Sequence, residues 1–479
     1  MEMEIRLFNT LTLEKDVFSP YENKKVRFYV CGPTVYDFIH IGNARVFVLF
    51  DALRRFLEEM GYEVIFVQNF TDIDDKIIKK AQEVGKSPQE VAEEYVKEYW
   101  RDAESLGVRQ ATFHPRATEH ISEIIDLIKK LEEKGFTYTL EGDVLFDVSR
   151  FPGYGKLSRK NLEELQEGAR VEVRYRKRNP ADFVLWKGAK PGEPFWESPW
   201  GRGRPGWHIE CSAMAMKYLG ETVDIHAGGI DLVFPHHENE IAQSEAATGK
   251  PFVRYFLHNG YVNINAEKMS KSLGNVITVR ELTREYNPKA LRLALFSSHY
   301  RSPINVDEAL LRSSSQFLER IKNFLRNLAF VKQKLKEDLK RQREGDDMAL
   351  SEVLRLRSLF LSALSDDFNT PQALGVFGEF MRFANQYLLP ARGGWSERVL
   401  SAVESFLGLV ENVLGVIPWQ EVTVEDAKVW ALVEEREKAR QRKDWARADA
   451  LREEIKSLGY AVEDTPLGAR FYRQEGKEE

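Results

Sequence analysis

The chain predicts an α/β fold built on a parallel sheet, split by an insertion and followed by a helical bundle and a small mixed C-terminal domain. Three observations predict its start: residues 26–30 form a β-branched and aromatic run, 44–60 carry apolar residues at helical spacing up to Gly61, and 62–66 form a second apolar run. Strand, helix and strand in that order open a parallel sheet of nucleotide-fold geometry, whose ligands bind beyond the carboxyl ends of the strands. Cys31 follows the first run and lies at such an end.

Helical pattern returns over 117–133, where Thr118 is placed to cap and Ile121, Ile124, Ile125 and Ile128 form one stripe before Gly135. Two strand-like runs, 137–140 and 144–148, are joined by Glu141-Gly142-Asp143 and read as a hairpin. From Lys190 to Trp207 the chain holds Pro191, Pro194, Pro199 and Pro205 and reads as irregular. Residues 1–118 and 201–258 are therefore expected to be two halves of one catalytic fold, with 119–200 inserted between them and 259–315 following. After Ser315 the pattern is almost wholly helical, with breaks at Gly345, Asn369-Thr370-Pro371 and Gly393-Gly394; a bundle over 316–419 is the economical reading. The tail, 420–479, mixes a basic helical run with Tyr460-Ala461-Val462, Asp464-Thr465-Pro466 and Arg470-Phe471-Tyr472.

With 479 residues, 43% apolar and 30% charged, the chain has the composition of a soluble globular protein. Two cysteines cannot make a disulfide framework, and no basic region followed by an apolar run opens the chain, so a cytoplasmic protein is expected. No apolar stretch approaches the roughly 20 residues of a membrane span. A formal charge of −6 argues against coating nucleic acid by bulk attraction. Two basic clusters stand out all the same: Lys332, Lys334, Lys336, Lys340, Arg341 and Arg343, then Arg436, Lys438, Arg440, Arg442, Lys443 and Arg447 around Trp445. Each is a solvated helix face unless other features make it an RNA surface.

Three constellations carry chemistry. His40-Ile41-Gly42-Asn43 precedes the first helix, where free backbone amides and the helix dipole favour phosphate and Gly42 permits close approach. Lys268-Met269-Ser270-Lys271-Ser272 sets two ammonium groups three residues apart in a loop, suited to charge developing on a triphosphate. Cys31, Cys211, His236 and Glu240 offer two thiolates, an imidazole and a carboxylate, a ligand set suited to zinc, with His237 as rival ligand and His208 and His226 close in sequence. Spacing alone leaves a closed structural zinc and a substrate-binding zinc equally open, and two core cysteines remain a further reading.

The order of motifs resembles the cysteinyl-tRNA synthetase family of class I aminoacyl-tRNA synthetases over essentially the whole chain. The resemblance rests on 31–37 (Cys-Gly-Pro-Thr-Val-Tyr-Asp), 71–76 (Thr-Asp-Ile-Asp-Asp-Lys), 182–187 (Asp-Phe-Val-Leu-Trp-Lys), 206–211 (Gly-Trp-His-Ile-Glu-Cys), 234–240 and 268–272, with 367–371 resembling the start of the family's helical anticodon-binding region. It implies a Rossmann-like catalytic domain and a zinc held by Cys31, Cys211, His236 and Glu240, one per chain, that binds the substrate thiolate directly. It also implies ATP with Mg2+, bound through His40, Gly42, Asn43 and Lys271, and transition-state stabilisation by Lys268 and Lys271. Trp207 and Thr71 are implied to bind the amino acid, 259–315 to hold the lysine loop and a stem-contact region, and the helical and C-terminal domains to recognise the cysteine tRNA. L-cysteine, ATP and that tRNA are the expected partners of a monomer with no membrane contact. Asn43 departs from the histidine usual at that position; an amide can donate or cap, but carries no charge. Two other functions fit parts of the pattern: a cysteine ligase acting on an amino-sugar acceptor in low-molecular-weight thiol biosynthesis, and a non-catalytic RNA-binding protein with structural zinc.

Overall fold

The computed structural model describes residues 3–163, 177–334, 344–388, 396–420, 426–465 and 468–474. Two units divide the chain: Met1–Thr283 with Tyr300–Asn305, and Arg284–His299 with Val306–Glu479.

The first unit opens with an antiparallel pair, β1 (Arg6–Asn9) and β2 (Glu14–Val17), before β3 (Lys25–Val30), α1 (Ile41–Glu59) and β4 (Glu63–Gln68). Helix α1 begins at Ile41, earlier than the apolar spacing from 44 suggests. Local hydrogen bonds explain the difference: Asn43 N–H donates to His40 Nδ1 at 3.2 Å and His40 N–H donates to Asn43 Oδ1 at 3.3 Å, a reciprocal cap that supports the first turn without apolar periodicity. Helices α2 (Asp75–Val84) and α3 (Pro88–Ser105) follow, then α4 (Ile121–Glu133). Thr118 does not cap α4 as its residue type suggests. It lies in a short 3-10 turn, and its N–H and hydroxyl both donate to the buried Asp72 carboxylate, at 3.0 and 2.5 Å.

An antiparallel sheet comes next: β5 (Thr137–Leu140), β6 (Asp143–Phe146), β7 (Phe183–Gly188) and β8 (Gly203–Pro205), paired in that order. Glu141 and Gly142, both at positive φ (51° and 87°), form the tight turn of the expected hairpin. The stretch read as irregular between Lys190 and Trp207 contains strand β8, because pairing with β7 supplies hydrogen bonds that local composition cannot signal. The chain then returns through α5 (Trp207–Leu219), β9 (Val223–Gly229), α6 (Glu238–Thr248) and β10 (Val253–Asn259), followed by β11 (Val262–Ile264), β12 (Glu267–Lys268) and α7 (Val279–Glu285).

Four strands from both sides of the inserted chain form one parallel sheet in the order β10-β9-β3-β4. Its core joins Tyr29 and Val67 to Met214 and Ala215 on α5 and to Phe252 and Phe256, and both cysteines lie in this cluster. The apolar interior thus presents the carboxyl ends of β3, β9 and β10 side by side, where class-typical ligand sites form.

The second unit is helical: α8 (Pro288–Phe296), α9 (Glu308–Lys334), α10 (Asp346–Ser365), α11 (Thr370–Leu388) and α12 (Glu397–Leu414), then α13 (Asp426–Gln441), α14 (Trp445–Ser457) and the hairpin β13 (Tyr460–Thr465) and β14 (Gly468–Arg473). Phe360, Phe377, Phe380 and Phe406 meet in its core. The expected breaks at Gly345 and 369–371 separate helices; Gly393-Gly394 lies outside the described residues, as do Lys336, Lys340, Arg341 and Arg343. In the second basic cluster, Arg436 is buried in a bidentate pair with Asp464 (2.8 and 3.1 Å), Arg440 lies 3.3 Å from Asp464, and Arg447 pairs with Glu435. Those charges are partly spent on the fold, whereas Trp445 stays 56% exposed beside Arg440. A groove of about 550 Å³ among α8, α9 and α11 carries none of the sequence motifs.

Candidate active site

A cleft of about 400 Å³ in the first unit is lined by Cys31, Tyr36, Asp37, His40, Gly42, Asn43, Lys76, Trp207, Lys268 and Lys271, among others. It lies beyond the carboxyl ends of β3 and β10, so residues from opposite ends of the unit converge on one opening. Gly32 makes the turn out of β3 possible: a Cβ there would stand 1.6 Å from the Asn69 carbonyl oxygen, while Asn69 Oδ1 accepts from Gly32 N–H at 2.9 Å.

Behind the cleft the four predicted ligands meet. Cys31 Sγ is 3.9 Å from Cys211 Sγ and 3.6 Å from Glu240 Oε1, and His236 Nε2 is 2.9 Å from the same Glu240 oxygen. The ligand atoms of Cys31, Cys211, His236 and Glu240 all lie within 4.8 Å of one another, and so do those of a second set, Cys31, His226, His237 and Glu240. The rival His237 turns its Nδ1 to His258 Nε2 at 2.7 Å, and its Nε2 is 3.5 Å from Cys31. Residue His258, which sequence reasoning passed over, is in turn bound by the Thr10 hydroxyl at 2.7 Å. Its position near the end of β10 was the signal available. Glu238, by contrast, leaves the cluster: it accepts from the N–H groups of Leu157 and Ser158 and from the Ser158 hydroxyl.

Burial and charge set the protonation of the cluster. Burial and the neighbouring Cys211 push the Cys31 thiol well up, while the hydrogen bond from Cys31 brings Cys211 down to about 6. Burial would raise Glu240, but the His226 and His236 rings hold it down to about 2. His236 is pulled the other way by burial, yet the negative charges of Cys211 and Glu240 push it up to about 10. Burial drives His237 well below its ordinary value and His258 down to about 3, so both rings are neutral. Glu210, next to Cys211 and fully buried, has no hydrogen-bond partner for either carboxyl oxygen among the described residues; burial pushes it well up and it adds no anion. Two anions and one removable imidazolium proton form a donor set that a divalent soft-acceptor cation such as zinc fits, displacing the protons of Cys31 and His236.

On the cleft side, Trp207 stacks on His236 with centroids 4.2 Å apart and planes at 19°. Burial and the Lys271 charge bring His40 down to about 4, so its ring is neutral. Since Nδ1 accepts from Asn43 N–H, the proton sits on Nε2, available as a donor. The Asn43 amide oxygen is engaged in the cap, which is the local use of this departure from histidine. Met269 leans on the first helix turn, where a Cβ at Gly42 would come within 2.8 Å of its Cε. Lys268 lies over the Tyr261 ring at 3.7 Å and Lys271 over the Tyr36 ring at 4.2 Å. Thr71 is buried, with backbone bonds to Pro33 and Val35; it shapes the loop after Cys31 and is not among the residues lining the cleft. No described helix is long and apolar enough to cross a membrane.

Comparison with known proteins shows the family. Residues 17–316 match the family described as tRNA synthetases class I (C) catalytic domain, 359–418 match the DALR domain, and 425–473 match the cysteinyl-tRNA ligase anticodon binding domain. The chain is 51% identical over 472 residues to the cysteine–tRNA ligase of Caldicellulosiruptor saccharolyticus, covering 98% of this chain and 100% of that protein. It is 50% identical over 469 residues to the cysteine–tRNA ligase of Geobacillus thermodenitrificans, covering 98% and 99%. Among solved structures, Mycobacterium tuberculosis methionyl-tRNA synthetase with methionyl-adenylate superposes with a TM-score of 0.63 at 17% identity, over 82% of this chain and 92% of that one. The Agrobacterium radiobacter agnB2 LeuRS in a ternary complex with tRNA gives 0.61 at 12% identity, over 84% and 85%. At such identities the structural likeness speaks for the fold alone.

Proposed function

The chain belongs to the cysteine–tRNA ligase family of class I aminoacyl-tRNA synthetases, and we propose that it activates L-cysteine with ATP and passes the cysteinyl group to its tRNA. In the first step the cysteine carboxylate attacks the α-phosphate of ATP, bound with Mg2+, to give cysteinyl-adenylate and pyrophosphate. In the second, a terminal ribose hydroxyl of the tRNA takes the cysteinyl group and releases AMP. The single observation that carries this reading is that Cys31 of the metal-type cluster, and Trp207 stacked on that cluster's His236, line the same cleft as His40, Gly42 and Lys271.

The residues divide the work by charge. His40 donates from Nε2 to a phosphate oxygen, and Gly42 with the amino end of α1 lets phosphate approach the backbone. Lys271 and Lys268 oppose the negative charge that grows on the α-phosphate and the departing pyrophosphate, where a fixed charge counts for more than in water. Trp207, held flat against His236, walls the amino-acid side. Cys31, Cys211, His236 and Glu240 would hold one zinc. When bound, the metal would supply a soft acceptor for the substrate sulfur and so separate cysteine from serine, a discrimination of which pocket shape alone gives about 10²-fold. The domain divisions at 118, 200, 258, 315 and 419 serve this scheme, with 316–479 recognising the tRNA and the protein acting as a monomer; the anticodon-domain match over 425–473 supports that role.

Cysteine-dependent ATP–pyrophosphate exchange, followed by charging of cysteine tRNA, tests the reading. Exchange with cysteine and none with serine is expected, together with label on the tRNA. Exchange that proceeds with no transfer to tRNA but with transfer to an amino sugar would move the protein to the thiol-biosynthesis reaction.

A further inference from the structure

Lys271 rests against one wall of the cleft with its side chain half exposed. Its Nζ donates to the Tyr36 hydroxyl at 2.5 Å, stands 3.4 Å from Asp37 Oδ2, and lies 4.2 Å from the centroid of the Tyr36 ring. A hydroxyl oxygen, a carboxylate and an aromatic face together offer an ammonium what phosphate oxygens would offer it. The same ring also has Lys76 Nζ at 5.6 Å, so two cations lie near it on the wall of the cleft.

The lysine loop is braced at its base and within its turn. At the base, Ile41 N–H donates to Ile277 O at 2.9 Å and Val279 N–H to Ile39 O at 3.1 Å, joining the loop's exit to the start of α1. Arg280 stacks over Phe38 at 3.8 Å and binds Glu98 and Asp102 on α3. Within the loop, Ser270 N–H donates to Asn275 Oδ1 at 2.8 Å and Asn275 Nδ2 to Lys268 O at 3.2 Å. These bonds hold the backbone turn and leave the Lys271 side chain to choose between wall and ligand.

We propose that Tyr36, with Asp37, is a positioning residue that holds Lys271 on the cleft wall until ATP phosphates take the lysine over. The proposal rests on the reading that Lys271 serves ATP. Its consequence is that Tyr36 and Asp37 compete with ATP for one ammonium group. The competition weakens the ATP complex and the transition state alike, so its effect is read in ATP affinity and not in the chemical step. The shift of Lys271 above its ordinary value, with burial opposing and the Tyr36 and Asp37 contacts favouring the charged form, agrees with a cation at home on these partners.

The test uses full-length protein and calorimetric ATP binding without cysteine, which needs no turnover. Tyr36→Phe keeps the ring and removes the hydroxyl; Asp37→Asn removes the charge. Each is expected to tighten ATP binding about two- to tenfold, the range for losing one competing bond to a charged group. In a Lys271→Ala background the same changes are expected to have no effect on ATP affinity. Trypsin cleavage after Lys271 in the ATP-free protein, read by mass spectrometry, is expected to quicken in Tyr36→Phe. Unchanged or weaker ATP binding in Tyr36→Phe, a gain that persists without Lys271, or unchanged cleavage each overturns the proposal. Absence of cysteine-dependent exchange in the wild type would instead strike the activation reading, while the ATP affinities still decide the role of Tyr36.

Discussion

Glu240 and His226 lie with Oε2 and Nε2 2.8 Å apart, both side chains sealed from solvent, so one carboxylate oxygen is held by the imidazole while the other faces Cys31 and His236. That division gives Glu240 a fixed orientation before any cation arrives. It also separates the two overlapping ligand sets, because His226 supports one and belongs to the other.

His226→Gln is therefore expected to weaken zinc binding by about 10–100-fold, the usual cost of removing a group that orients a ligand. Cys211→Ser is expected to abolish stoichiometric zinc. Chelator competition with metal analysis of the purified proteins checks both. Zinc retained by Cys211→Ser and lost from His226→Gln would assign the metal to Cys31, His226, His237 and Glu240.

Lys271→Ala is expected to slow adenylate formation by about 10²–10³ with cysteine affinity nearly intact, since its charge counts where the phosphates gain charge. Single-turnover kinetics beside equilibrium cysteine binding distinguishes this from a binding role. An equal loss of cysteine affinity at normal turnover would reassign the lysine.

Acid should destabilise the first unit through His114. Its Nδ1 is 3.0 Å from the Gln68 carbonyl and its Nε2 accepts from Ala111 N–H at 2.8 Å, which requires the neutral ring, and burial brings it down to about 4. Between about 4 and the ordinary 6.5 the unfolded chain binds the proton and the folded one does not. The stabilisation is thus complete above 6.5 and is lost as pH falls toward 4. Denaturant midpoints at several pH values should fall across that window, and less steeply in His114→Gln; an identical slope in the variant would mean that His114 does not contribute.

Trp445→Ala is expected to lower kcat/KM for tRNA by about 5–150-fold, the equivalent of one lost base–aromatic stack of ~1–3 kcal/mol, and to leave pyrophosphate exchange unchanged. It is 56% exposed beside Arg440, in a cluster where Arg436, Arg440 and Arg447 pair with acidic side chains, which makes it an aromatic face open to a nucleotide base. Charging and exchange assays on the same preparation check the separation.

The sequence by itself determined the strand–helix–strand opening, the hairpin at 137–146, the helical second unit and the identities of the metal-type donors. These are legible because each depends on short-range order: periodicity, turn residues such as Glu141-Gly142, and literal runs such as 268–272. Where local signals compete with distant partners they mislead. Thr118 has the chemistry of a cap and serves Asp72 instead, and proline-rich chain before Trp207 still supplies a strand to β7. Only the tertiary structure decided that Cys31 and Cys211, 180 residues apart, meet at 3.9 Å. It also decided that His237 answers to His258 while His236 joins Glu240, and that Lys271 rests on Tyr36. The physical reason is that these contacts follow from how β3, β9 and β10 register side by side and which strand ends they bring together. Side-chain alternation along one strand says which face a residue takes, but not which strand lies next to it.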